Sequence, residues 1–193
     1  MIILLVIIGV IGLYLLSMYN RFVTLKTRIK ASIQEIGNQL KRQADLIPNL
    51  IESAKGYMAH EKAIFTELTE ARKSMMSASS GGDVQKMVDA GSQFERLLGR
   101  FSALAENTPE IKATETVTQL MNELRDTADK MMYSRRTLID LSADYNVMVV
   151  TFPSNLVAKL FNFSAEKGLS TPESGEHLEV STEEMKTPEV KLN

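Results

Sequence analysis

NQLKRQADLIPNLIESAKGYMAHE, residues 38–61, sets a proline, Pro48, among strong helix formers on an amphipathic period. Inside a helix a proline removes one hydrogen bond and crowds the carbonyl four residues back, at a cost of about 3 kcal/mol. In the first turn its missing N–H is not needed. The simplest reading makes Asp45 an N-cap, places Pro48 at the third helical position, and takes ADLIP as a tight connection between antiparallel helices. The alternative is one long helix kinked at the proline. Either way, Leu46, Ile47 and Leu50 are expected at the end of a bundle.

Outward from this block the chain reads as helix. Phe22, Leu25, Ile29, Ile33, Ile36 and Leu40 recur at threes and fours. A second stripe runs through Ile47, Ile51, Ala54, Met58, Phe65, Leu68 and Met75, with Glu61 in a core-type slot. A third contains Val84, Met87, Gly91, Phe94, Leu98, Phe101 and Ala105. The fourth holds Val117, Met121, Leu124, Ala128, Met131, Leu138, Tyr145 and Val149, interrupted by Arg135 and Ser142. SSGGD, residues 79–83, offers glycines to stop one helix and Asp83 to cap the next. NTPE, residues 107–110, offers Thr108 as N-cap and Pro109 at the first helical position. Pro153 ends the fourth segment, and Ser154 is placed to cap a short helix through Leu160. As one helix, Pro109 to Thr151 would reach about 64 Å, against about 36 Å for Asp83 to Glu106. The last segment is therefore expected to kink, break near Ser142, or project. The fold expectation is all-α: an N-terminal transmembrane helix continuing into an antiparallel up-and-down bundle of about four long helices.

Met1 to Tyr19 carries no charged side chain and, as a helix, spans roughly 28 Å, close to the hydrocarbon thickness of a bilayer. It lacks the basic start and small-x-small cleavage site of a secretory signal, so residues 1–19 read as a single-pass anchor in the cell membrane. Arg21, Lys26, Arg28 and Lys30 follow at once, which by the positive-inside rule puts the bundle and tail in the cytoplasm. Residues 20–165 form the bundle region, with 19 basic against 17 acidic side chains. Residues 166–193 hold 3 against 7 and are rich in Ser, Thr, Glu and Pro, a composition expected to remain a disordered acidic tail. Its two TPE tripeptides, at Thr171 and Thr187, read as phosphorylation or docking sites or, more simply, as solvated linker.

QLKRQADLIPNLIESAKGYMAHE, residues 39–61, followed by EAR at Glu70 to Arg72, resembles the LemA family. So do YNRFV at 19–23, ENTPEIKA at 106–113, SRR at 134–136 and DYNVMVVTFPSNLVAKLFNF at 144–163. The resemblance implies a membrane-anchored antiparallel helical bundle and a family whose biochemical role is poorly defined.

The chemistry within reach is narrow. The absence of cysteine excludes disulfides, thiolate zinc sites and a cysteine nucleophile together. His60–Glu61 begins like a zinc-protease helix, but position 64 is Ile64 where the second histidine would be needed. No glycine-rich phosphate loop, nucleophile elbow or Glu-x-x-His pair occurs in the bundle region. No enzyme activity, cofactor or metal is expected, and with no basic stripe no nucleic acid either. The expected function is an interaction or scaffold module at the bilayer, a homo-oligomer or a partner of another membrane protein. The alternative is an accessory or sensory subunit regulating a membrane enzyme or protease.

The residues expected to carry such contacts are polar positions near the bundle ends. Lys41, Arg42, Asp45 and Asn49 mark the membrane-distal end, and Asn146, Ser154 and Asn155 the other. Asp45 and Ser154 also read simply as helix caps. Leu156, Leu160, Phe161 and Phe163 are expected to touch the bilayer interface or a neighbouring subunit, or else to pack on the bundle's own end. Met75, Met76, Met131 and Met132 suggest an adaptable groove or, more simply, filled core gaps. Glu61 and Arg135, both in core-type slots, either form a buried pair that fixes register or reach separately to solvent.

Overall fold

The computed structural model describes residues 1–58, 61–112 and 114–170. Six helices follow in order: α1 (Ile2–Ala54), α2 (Lys62–Gly81), α3 (Val84–Glu106), α4 (Pro109–Lys112), α5 (Glu115–Val150) and α6 (Ser154–Leu160). No strand occurs among the described residues.

The expected turn at Pro48 is absent. α1 runs without a break from the apolar segment through Pro48 to Ala54, and α2 begins only at Lys62. The buried stripe shows why. Phe22, Leu25, Ile29, Ser32, Ile36, Leu40, Gln43, Ile47, Leu50 and Ala54 are buried at threes and fours, in one phase across the proline. A turn at residue 45 would have reset that phase. The cost of Pro48 is met from α2. Its ring leaves the carbonyl of Ala44 without an intrahelical donor, and the Nε–H of Arg72 donates to that oxygen at 3.1 Å.

Contacts between helices define the topology. Ser79 donates to the carbonyl of Gly37 as Arg72 does to that of Ala44, so α2 runs antiparallel to α1. Arg100 on α3 makes a forked pair with Glu67 on α2. Arg125 on α5 reaches Ser102 on α3 at 3.0 Å, and Phe22 on α1 meets Tyr145 on α5 with ring centroids 5.5 Å apart. Gly91 lets α3 approach α5: a Cβ there would come within 2.5 Å of the Met131 sulfur. α1 and α5 are the long pair, with α2 and α3 a shorter hairpin laid against them.

Local signals explain most boundaries. Asp83 accepts hydrogen bonds from the N–H groups of Gln85 and Lys86, after Gly82 at a φ of 70° has closed α2. Pro109 opens α4, but Thr108 does not cap it, because its hydroxyl donates back to Leu104. The last segment breaks between α4 and α5 rather than near Ser142, which is buried within a continuous α5. The Phe152–Pro153 peptide, which is cis, separates α5 from α6.

Candidate interaction surfaces

The structure separates the expected contact residues into two kinds. Lys41, Arg42, Asp45 and Asn49 are all exposed, and 41, 45 and 49 share one face of α1 at a four-residue repeat. Their position is corrected by the missing turn: they line the side of a helix, and Asp45 caps nothing. Asn146 and Ser154 serve the fold. Asn146 clamps the chain after α6, donating to the carbonyl of Glu166 at 2.9 Å and accepting from its N–H at 2.8 Å. Ser154 is buried and its hydroxyl lies 2.8 Å from the carbonyl of Met148 and 3.0 Å from that of Thr151. Asn155 is half-buried, with its side-chain oxygen enclosed and unpaired.

The expected Glu61–Arg135 pair does not form. Glu61 is exposed at the start of α2, and Ile64 fills the neighbouring core position. The α1–α2 connection puts Glu61 at the distal tip, whereas Arg135 lies 20 residues into α5, roughly 30 Å from that end. Arg135 is half-buried and acts instead on Glu95 of α3. Glu95 stays exposed at the wall of the α3–α5 groove, and partial desolvation there raises its pKa above the ordinary carboxylate value; Arg135 and Arg96 oppose the shift and Asp129 adds to it. His60, the second half of the His–Glu reading, lies outside the described residues, as do Thr171 and Thr187 of the tail.

The apolar residues near α6 divide as well. Phe163 stacks on Phe22 at 4.7 Å and packs into the bundle end, while Phe161 meets Tyr19 edge-on at 4.9 Å. Leu156 and Leu160 stay exposed. Of the methionines, Met75 and Met131 are buried core fillers, and Met76 and Met132 are exposed.

Three features escaped the sequence reading. An open groove runs between α1 and α5, lined by Arg28, Ala31, Glu35, Tyr133, Ser134 and Thr137. Gln43 is fully buried with both amide atoms unpaired; its place in the three-four stripe, between Leu40 and Ile47, was the available signal. The chain also stays on the bundle past Glu166, where composition alone begins a tail. Lys26 pairs with Glu166 at 3.3 Å, Leu169 packs on the core, and the N–H of Ser170 donates to Gln85 on α3. Beneath this strap lies Tyr145, whose hydroxyl is buried and unpaired; burial raises its pKa, with Lys26 opposing and Glu166 adding to the shift.

Residues 32–183 match the family model described as the LemA family, which takes in α1 from Ser32 onward and the helices that pack on it. The chain belongs to the LemA family. It is 24% identical over 172 residues to the magnetosome protein MamQ of Magnetospirillum gryphiswaldense. It is 23% identical to MamQ 1 and to MamQ 2 of Paramagnetospirillum magneticum. In each case 77% of this chain is covered, and the chain spans 63% of the relative's length. The family assignment agrees with the Pro48 block, since Ala44, Pro48 and Arg72 all fall inside the matched span. It also takes in the strap at 166–170, so the family unit extends beyond the last helix.

Proposed function

We propose that this LemA-family protein is a non-catalytic, single-span module whose cytoplasmic bundle associates laterally with further copies of itself in the same membrane. The observation that carries the reading is the unbroken α1. Its first part is apolar enough to cross a bilayer, with a mean hydropathy of 2.6 over its best 18 residues, and the same helix then forms the spine of the bundle. Copies built this way stand at one height and in one orientation, so a side-to-side contact has little rotational freedom left to lose. The α1–α5 groove is the surface offered: it faces sideways and carries Tyr133, which is 74% exposed. The magnetosome name of the relatives agrees with a membrane setting. The cytoplasmic orientation rests on Arg21, Lys26, Arg28 and Lys30.

The test is mass photometry of the full-length chain, gently solubilised, beside Ala31→Arg and Tyr133→Glu variants. Uniform oligomers that collapse to monomers in both variants are expected. A monomeric parent carrying a stoichiometric foreign protein would replace this reading with that of an accessory subunit.

A further inference from the structure

Antiparallel α1 and α5 share one height scale. Taking the Phe22–Tyr145 ring contact as a common level, each later residue of α5 descends about 1.5 Å toward the apolar segment. Val150, the last residue of α5, therefore lies about 7–8 Å below Phe22, while Tyr19 lies only about 4–5 Å below it. The Phe152–Pro153 turn falls beside the last turn of the charge-free segment, on the membrane side of Arg21. The apolar segment records this neighbour. Tyr14, Leu15 and Met18, all inside the stretch that reads as the span, are partly buried and pack against the core cluster. From that depth the chain climbs back, with Phe161 against Tyr19 and Phe163 against Tyr19 and Phe22.

The surface presented at this level is apolar. α6 buries Ser154, Val157 and Ala158 toward the bundle and leaves Leu156, Lys159 and Leu160 outside. Phe152 is 79% exposed and Leu160 is 65% exposed. Two features of this face indicate what covers it. On this scale the end of α5 lies about 6 Å, and Phe161 at the Tyr19 level about 3 Å, on the bilayer side of Arg21, which reaches into the roughly 5–10 Å at which amphipathic interfacial helices sit. Phe161, next to Leu160, also joins this face to the span through Tyr19.

We propose that α6 and the α5–α6 turn form a second membrane contact, in which Phe152, Leu156, Leu160 and Phe161 enter the boundary between headgroups and acyl chains beside the span. Lys159, exposed between Leu156 and Leu160, reaches back from this face to lipid phosphates. The bundle is then held to the bilayer at two places, by a helix that crosses it and by one that lies on it. This rests on α1 crossing the membrane.

The chain has no tryptophan, so each introduced indole is a unique probe. Full-length Phe152→Trp and Leu160→Trp are reconstituted into phosphatidylcholine–phosphatidylglycerol vesicles with or without brominated acyl chains. Leu5→Trp in the span and Tyr57→Trp just past the distal end of α1, where the native side chain is exposed, serve as references. The proposal expects blue-shifted emission from positions 152 and 160, a severalfold loss of intensity in brominated vesicles, and protection from acrylamide. Emission matching Tyr57→Trp overturns it. Blue-shifted emission that brominated lipid leaves unquenched also overturns it, because a protein surface, such as a second copy, then covers the face. Quenching of Leu5→Trp reports insertion of the span separately, so loss of the second contact and loss of the anchor give different results. Circular dichroism of each variant checks the fold, and a correctly folded variant at either probe position is enough to decide between these outcomes.

Discussion

The partnership of Pro48 with Arg72 makes a quantitative prediction. In the native chain the carbonyl of Ala44, a fully buried residue, has Arg72 as its donor because Pro48 has no N–H to give. Arg72→Met keeps an apolar stem over α1 but removes that donor, and a hydrogen bond to a charged group left unmade at a buried site costs about 1–3 kcal/mol. Pro48→Ala restores the helical N–H four residues on and relieves the ring from the same carbonyl. The helix-interior cost of proline is about 3 kcal/mol, part of which Arg72 already offsets, so a gain of about 1–2 kcal/mol is expected. In the Pro48→Ala background the carbonyl has its own donor, and Arg72→Met then costs less than about 1 kcal/mol. The two substitutions are thus coupled by about 1–2 kcal/mol. The assay is equilibrium urea unfolding of the four full-length proteins in a mild non-ionic detergent, followed by helical circular dichroism. Additivity within about 0.5 kcal/mol, or a Pro48→Ala protein less stable than the parent, refutes the argument.

Two further outcomes follow from single side chains. Gln43→Met fills nearly the same volume without two unpaired amide atoms, and is expected to stabilise the bundle by about 1–2 kcal/mol in the same titration; a loss of stability would mean that the amide has a partner such as a bound water. Glu95 has a raised folded-state pKa, so the folded protein holds its proton more tightly and this group's contribution to stability falls as pH rises through the folded value. Glu95→Gln is therefore expected to raise Tm at pH 7 and to lose that advantage by about pH 4, below the ordinary glutamate value; a gain that does not change with pH would contradict it.

The helices were legible because burial writes a three-four rhythm into the chain, and nearly every apolar residue on those stripes is buried or half-buried. Asp83 and Pro153 were legible because a cap and a helix stop are local events. Pro48 was misread for the opposite reason. Its cost is offset from Arg72, 24 residues away on another helix, and no local rule contains that donor. The stripe through Gln43 and Ser32 carried the correction, but polar residues in core slots conceal a continuous phase. The same holds for the strap: Glu166 to Ser170 looks like tail by composition, and only the opposite surfaces of Asn146, Lys26 and Gln85 explain why it stays.

Placed across the bilayer as proposed, α1 has no joint between the membrane and the distal tip. From Tyr19 to Ala54 it extends about 52 Å, so a change of about 10° in the angle at which it crosses the membrane swings that tip by about 9 Å. Apolar segments tilt when the hydrocarbon layer becomes thinner than they are long. The distal end of the bundle then moves with bilayer thickness, on a scale set by a single helix that a proline six residues from its end does not interrupt.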